Sequence, residues 1–172
     1  MQRIYLAGFD VFRADSVAQG RRLKDLCLAH GFEGLYPLDN ALPAGLSERA
    51  AAQWIFEQNI RLIRQADLIM ANLNVFRGLE PDSGTAFEAG YGAALGKPVW
   101  AYTSDARPLV EQAGTGRDPR DAGRVVDAQG YTVEDFGLNV NLMLACAARV
   151  VTGDAQACLQ AIASAGLSQQ AR

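Results

Sequence analysis

Short apolar runs alternate along this chain with segments whose apolar residues fall at helical spacing, and that rhythm restricts the fold more than any other feature. Arg3-Ile4-Tyr5-Leu6-Ala7-Gly8 reads as a first strand. Between Arg13 and His30 the apolar residues Val17, Leu23, Leu26, Cys27 and Leu28 lie mostly at helical spacing, with Gly31 as a stop. Phe32 to Leu38 reads as a second strand, closed by the turn-forming pair Asp39-Asn40. Ser47 caps a predicted helix running to about Gln65, with Trp54, Ile55, Ile60, Leu62 and Ile63 on its apolar face. Asp67 to Leu73 is nearly apolar throughout, as a central strand covered on both faces should be. Gly84 to Leu95 predicts a third helix, ended by Gly96-Lys97-Pro98. Val99 to Thr103 and Ala147 to Thr152 read as two further strands, and Asp154 to Ala165 as a closing helix before a tail, from about residue 166, whose order the sequence leaves open.

Strands and helices alternating in this way call for a parallel sheet with helices on both faces. The expected fold is a single α/β domain over 1–172, flavodoxin-like (Rossmann-like), a three-layer αβα arrangement with a five-stranded parallel sheet in the order 2-1-3-4-5. One segment breaks the rhythm. Ser104 to Phe136 is rich in Gly, Arg and Asp and weakly periodic, which reads as a long loop, either a functional one over a substrate or at an interface or a merely mobile insertion.

Composition then narrows the chemistry. The 172 residues include 16 Lys and Arg against 19 Asp and Glu, a net charge of −3, with one histidine and three cysteines. A negative balance argues against nucleic acid or an anionic membrane as partner. So few soft ligands leave little for a zinc site, and no metal or cofactor is expected. Met1 to Gly8 is too short for a signal-peptide core, and no segment approaches a membrane span, so a soluble, cytoplasmic protein is expected. Cys27, Cys146 and Cys158, scattered among apolar neighbours, read as small buried hydrophobes in a reducing compartment. The work falls to carboxylates, amides, hydroxyls and backbone.

Ligands of open parallel sheets bind beyond the carboxyl ends of the strands, beside the switch in strand order. The segments leaving those ends include Gly8-Phe9-Asp10, Leu38-Asp39-Asn40, Asn72-Leu73-Asn74 and Asp82-Ser83-Gly84, which concentrates hydrogen-bonding side chains there. Glu88 follows near the start of the third helix, whose positive end favours an ionised carboxylate. Flanked by Phe87, Ala89 and Gly90, it faces protein rather than water, and a buried carboxylate needs a partner. Tyr5 of the first strand can supply a hydroxyl. Carboxylates converging without a histidine suit cleavage of a glycosidic bond, one meeting the sugar carbon and another handling the departing group. Asp10, Asp39 and Asp82 equally suit turns and helix caps, and that alternative stays open for each. There is no dinucleotide fingerprint and no phosphate-binding P-loop, Lys97 sits in a turn, and His30 sits at a helix end.

Four segments resemble the nucleoside 2-deoxyribosyltransferases in order along the chain: Ile4-Tyr5-Leu6-Ala7-Gly8, Pro37-Leu38-Asp39-Asn40, Asp82 through Tyr91, and Asn141-Leu142-Met143-Leu144. The resemblance implies transfer of 2-deoxyribose between nucleobases by two displacements, with a deoxynucleoside and a free nucleobase as substrates and no cofactor. It places Glu88 at the nucleophile's position, Tyr5 at that of the tyrosine orienting it, and Asp82 at that of the aspartate that contacts the base and helps protonate it. Gly8, Asp10, Asp39, Asn40 and Gly84 become candidate substrate-binding residues. Asn141 and Met143 match residues that a neighbouring subunit contributes to the sugar pocket, which implies a homodimer or higher homo-oligomer. Some members carry another base-facing aspartate on the helix before the third strand; here the matching residue is Asn59, an amide that cannot supply a proton. Two other readings stay open. One is N-glycoside hydrolysis of deoxynucleosides or their 5′-monophosphates; in the monophosphate-cleaving branch serines stand where this chain has Asp82 and Asn141. The other is a non-catalytic nucleotide-binding module on the same fold.

Overall fold

A computed structural model describes residues 1–170. Strand β1 (Gln2–Ala7) leads through one 3-10 turn (Phe9–Phe12) to helix α1 (Ser16–Ala29). Strand β2 (Phe32–Leu35), a second 3-10 turn (Pro37–Asp39), helix α2 (Glu48–Gln65), strand β3 (Leu68–Asn72), helix α3 (Ser83–Ala94) and strand β4 (Val99–Thr103) follow. Next come a short helix α4 (Leu109–Gln112), strands β5 (Gly116–Asp118) and β6 (Asp121–Val126), helix α5 (Leu142–Ala147), strand β7 (Arg149–Thr152) and helix α6 (Ala155–Gln170). No helix among the described residues is long and apolar enough to cross a membrane.

The main sheet has five parallel strands in the order β2-β1-β3-β4-β7, the expected order with β7 as the fifth strand. Side chains alternate between its two faces. Ile4, Leu6, Leu68 and Met70 enter a core with Leu23 and Cys27 of α1 and Cys158, Leu159 and Ile162 of α6. Tyr5, Ala7, Ile69, Ala71, Val99 and Ala101 enter the other, with Leu62 and Ile63 of α2 and Ala89 of α3. A strand buried on both faces reads as a continuous apolar run, which is why β3 stands out in the sequence. The same alternation puts Tyr5 on the side of α2 and α3. Gly92 lets α3 lie close against the sheet, because a Cβ there would sit 2.5 Å from Ile69 Cγ1.

Several expectations are corrected. The second strand stops at Leu35 rather than Leu38, because Pro37 opens a 3-10 turn in which Asp39 accepts from the Tyr36 amide at 2.9 Å. The last strand starts at Arg149, since Leu142–Ala147 forms a helix capped by Asn141, which accepts from the Met143 amide at 3.0 Å. Ser104 to Phe136 is not one loop: it holds α4 and the antiparallel β5–β6 hairpin, where buried Asp118 pairs with Arg120 and Arg124 at 3.3 Å each. Cys27 and Cys158 are buried, but Cys146 is exposed, on the outer side of the short α5. The closing helix runs past its expected end at Ala165, as α6 to Gln170, and positions 171–172 lie outside the described residues.

Candidate active site

Tyr5 is fully buried in β1, and its hydroxyl donates to Glu88 Oε1 at 2.6 Å. Asn59 of α2 donates Nδ2 to the same oxygen at 3.3 Å. Three elements distant in sequence therefore converge on one carboxylate oxygen of α3. Burial of the Tyr5 hydroxyl, and next the Glu88 carboxylate beside it, push its pKa far above the usual phenol value, so it acts as a donor.

Glu88 lies beyond the first turn of α3, where the dipole's help to an anion has faded. The expectation of a readily ionised carboxylate is therefore overturned: burial pushes its pKa up to about 7. The Tyr5 bond opposes that rise, the Asp82 charge adds to it, and the Asn59 bond opposes it. A carboxyl poised near neutrality in a cleft marks a candidate for chemistry rather than for structure alone.

The cleft is a cavity of about 490 Å³ beyond the carboxyl ends of β1 and β2, between α2 and the start of α3. It brings together six of the predicted residues: Gly8, Asn40, Asn59, Asp82, Gly84 and Glu88. Phe12, Leu38, Leu42, Trp54 and Ile55 give it apolar walls. Such a hollow, apolar with a few convergent polar groups, suits a small organic molecule. Asp82 caps α3, accepting on Oδ2 from the Thr85 amide and from Thr85 Oγ1, both at 2.9 Å. It is thus both a helix cap and part of the cavity wall.

The other predicted residues lie elsewhere. Asp10 turns to the opposite side of the sheet, where Gln19 Nε2 at 3.1 Å and Asn72 Nδ2 at 2.9 Å donate to it in a separate crevice. Asp39 is consumed by its own turn and by an ion pair with Lys24 Nζ at 2.5 Å. Asn74, another strand-end residue, accepts from the Ser104 amide at 2.8 Å and ties two loops together. Asn141 and Met143 line a different hollow on the far side of α3, where Asn141 donates to Glu134 Oε1 at 2.8 Å and Met143 is 72% exposed.

Residues 4–143 match the sequence profile of the nucleoside 2-deoxyribosyltransferases. The chain belongs to the nucleoside 2-deoxyribosyltransferase family. It is thus an enzyme of the pentosyltransferase class. A structure titled as a 2-desoxiribosyltransferase from Leishmania mexicana superposes with a TM-score of 0.75 at 36% identity, covering 95% of this chain and 98% of that one. An uncharacterized protein of Schizosaccharomyces pombe is 32% identical over 157 residues, 81% of this chain and 74% of its own length. A conserved protein from Enterococcus faecalis V583 shares the fold at 22% identity and a TM-score of 0.57, covering 98% of this chain and 99% of its own.

Within this family member, the apolar wall is what sequence reasoning missed. Trp54 and Ile55 read as part of an ordinary apolar helix face, yet they line the cavity, and Ile55 stays 45% exposed. A signal existed: α2 carries more large apolar residues than its buried positions Leu62 and Ile63 account for. Phe12 gave no signal, because only the turn after β1 aims it at the cavity.

Proposed function

We propose that this enzyme moves 2-deoxyribose between nucleobases by a double displacement in which Glu88 is the nucleophile. The observation that carries this is the Tyr5 hydroxyl 2.6 Å from Glu88 Oε1 at the polar end of an apolar cavity. In the first displacement a Glu88 oxygen bonds to C1′ while the C1′–N bond breaks, and its electron pair leaves with the base. Asp82, itself a carboxylate at rest, passes a proton from solvent to the departing base and takes up the N–H proton of the incoming one in the second displacement. In the second, the incoming base uses a ring nitrogen to attack C1′, the ester bond breaks, and Glu88 regains its carboxylate. Two inversions give net retention. The apolar walls keep water from the ester, so that a base rather than water completes the cycle.

The substrate is a nucleoside rather than a nucleotide. Asp82 and Glu88 are the charged residues of the described lining, and a phosphate beside them would be repelled. In this reading Asn141 and Met143 serve the cavity of a neighbouring copy in a homo-oligomer. Their position outside the cavity of their own chain supports that assignment, as do the exposed Phe56 and Phe87 rings, 6.2 Å apart on α2 and α3. Incubation with a deoxynucleoside and a second free base tests the proposal. The exchanged deoxynucleoside is expected; free deoxyribose released at the same rate with or without the second base would make the enzyme a hydrolase.

A further inference from the structure

Two donors reach one oxygen of Glu88: Tyr5 at 2.6 Å and Asn59 Nδ2 at 3.3 Å. The other half of the Asn59 amide, Oδ1, is buried with no hydrogen-bond partner among the described residues. Turning the amide over would exchange Oδ1 with Nδ2. Turning it here would set Oδ1 against a carboxylate oxygen, so the amide keeps the orientation that serves Glu88 and leaves its own acceptor unmatched.

We propose that Asn59 is a positioning residue for Glu88: together with Tyr5 it holds Oε1, which leaves Oε2 as the oxygen that attacks the anomeric carbon. This rests on the reading of Glu88 as the nucleophile. When Oε2 bonds to C1′ and the base departs with the electron pair of the C1′–N bond, Oε1 becomes the carbonyl oxygen of the ester. Both donors stay on it throughout, and they hold the same oxygen when the second base displaces the carboxylate. The donors therefore also fix the plane of the carboxyl group, and with it the line of attack.

Each element packed on Glu88 contributes a distinct group. β1 brings the titratable Tyr5, and the start of α3 brings the charged Asp82. α2 brings Asn59 and Gln58, which carry no charge. The Asn59 bond opposes the upward push of burial on the carboxyl. Removing the amide therefore takes away a donor without removing a charge. Replacing it with a carboxylate sets two acids side by side, which raises the pKa of the pair further.

The test uses Asn59→Ala and the near-isosteric Asn59→Asp in the full chain. The Glu88 carboxyl is followed by 13C NMR titration without substrate, its signal assigned by its loss in Glu88→Gln, alongside steady-state base exchange. The expected result is a higher ionisation midpoint in Asn59→Ala and a higher one still in Asn59→Asp. kcat near pH 7 should drop about tenfold in Asn59→Ala, with KM changed less than threefold and activity recovering as pH rises. A midpoint unchanged in Asn59→Ala, with the loss confined to KM, would overturn the proposal and leave Asn59 as a wall of the cavity. A shift in Asn59→Asp alone would overturn it too, by showing charge rather than donation. Wild-type enzyme that exchanges no base would refute the transfer reading, while the titration would still decide the role of Asn59.

Discussion

The Tyr5 hydroxyl meets Glu88 Oε1 at 2.6 Å, tying the middle of the first strand to a helix 83 positions away. Period-two alternation turns Tyr5 toward α3, and the close approach that Gly92 allows brings the helix within reach. Tyr5→Phe keeps the ring in its core place and removes only the donor. A hydrogen bond to a charged group contributes about 1.5–3 kcal/mol, so kcat for base exchange should fall roughly 10- to 100-fold. Circular dichroism should show the fold intact.

In the proposed mechanism Glu88 must be ionised, and burial holds its pKa at about 7. kcat/KM for base exchange should therefore rise with pH through about 7 and level off above it. Tyr5→Phe should move that rise to higher pH, because the lost bond favoured the charged form.

The same carboxyl ties stability to pH. Its pKa in the folded protein, about 7, lies above the roughly 4.3 of an unfolded chain. The folded state therefore holds the proton more tightly, and this contribution to stability is present below about pH 4 and is lost as pH rises through 7. Glu88→Gln removes that dependence. Its melting temperature should exceed that of the wild type by about 2 °C or more at pH 8, and the gap should shrink at pH 5. Differential scanning calorimetry across that range measures it, and exchange activity should be absent in the variant.

Phe12, on the cavity wall, is held from behind. Phe76 stacks on Phe9 and Phe12 with ring centroids 5.1 and 5.3 Å apart, and the Arg77 guanidinium lies 4.6 Å from the Phe76 ring and 5.2 Å from that of Phe12. Arg77 sits at φ 53, in the left-handed region, to reach this position. An aromatic pair adds about 0.5–1.5 kcal/mol beyond its buried area. Phe76→Ala should raise KM for the nucleoside about 3- to 10-fold and leave kcat nearly unchanged, as steady-state kinetics would show.

Asp10 and Asp39 should behave as structural residues. Asp10 is buried and accepts from Gln19 and Asn72, and its loss strands both amides. Asp10→Ala should lower stability to urea by about 1–3 kcal/mol. Asp39→Ala should disturb the turn at Tyr36, with kcat in either variant within about threefold of the wild type.

The strands of the sheet were legible because most are short apolar runs between helical or turn segments, β3 most plainly, whereas their order came from the flavodoxin-like pattern and not from any residue. The pairing of Tyr5 with Glu88 was legible too, since a carboxylate among Phe87, Ala89 and Gly90 demands a donor and strand alternation supplies a tyrosine. What a linear reading lacks is the face on which a strand-end residue emerges. Asp10 and Asp39 follow strands as closely as Gly8 and Asn40 do, yet the turns send them away from the cavity. The β5–β6 hairpin left no trace, because most of its residues are exposed and polar or small, with no alternation to read. The convergence of Asn59 on Glu88 Oε1 depends on how α2 sits against α3, which only packing decides.

If Glu88 carries the sugar between two bases, as proposed, the enzyme passes through a covalent ester. A 2′-fluoro-substituted deoxynucleoside slows the second step more than it slows capture, because fluorine destabilises the cationic character at C1′ while the good leaving base departs. Mass spectrometry of the protein after incubation should show the added mass of one fluorinated pentosyl group, mapped by peptide fragmentation to Glu88 and removed on adding a free base. An adduct on another residue, or turnover of the analogue with none on Glu88 even in rapidly quenched samples, would contradict the account.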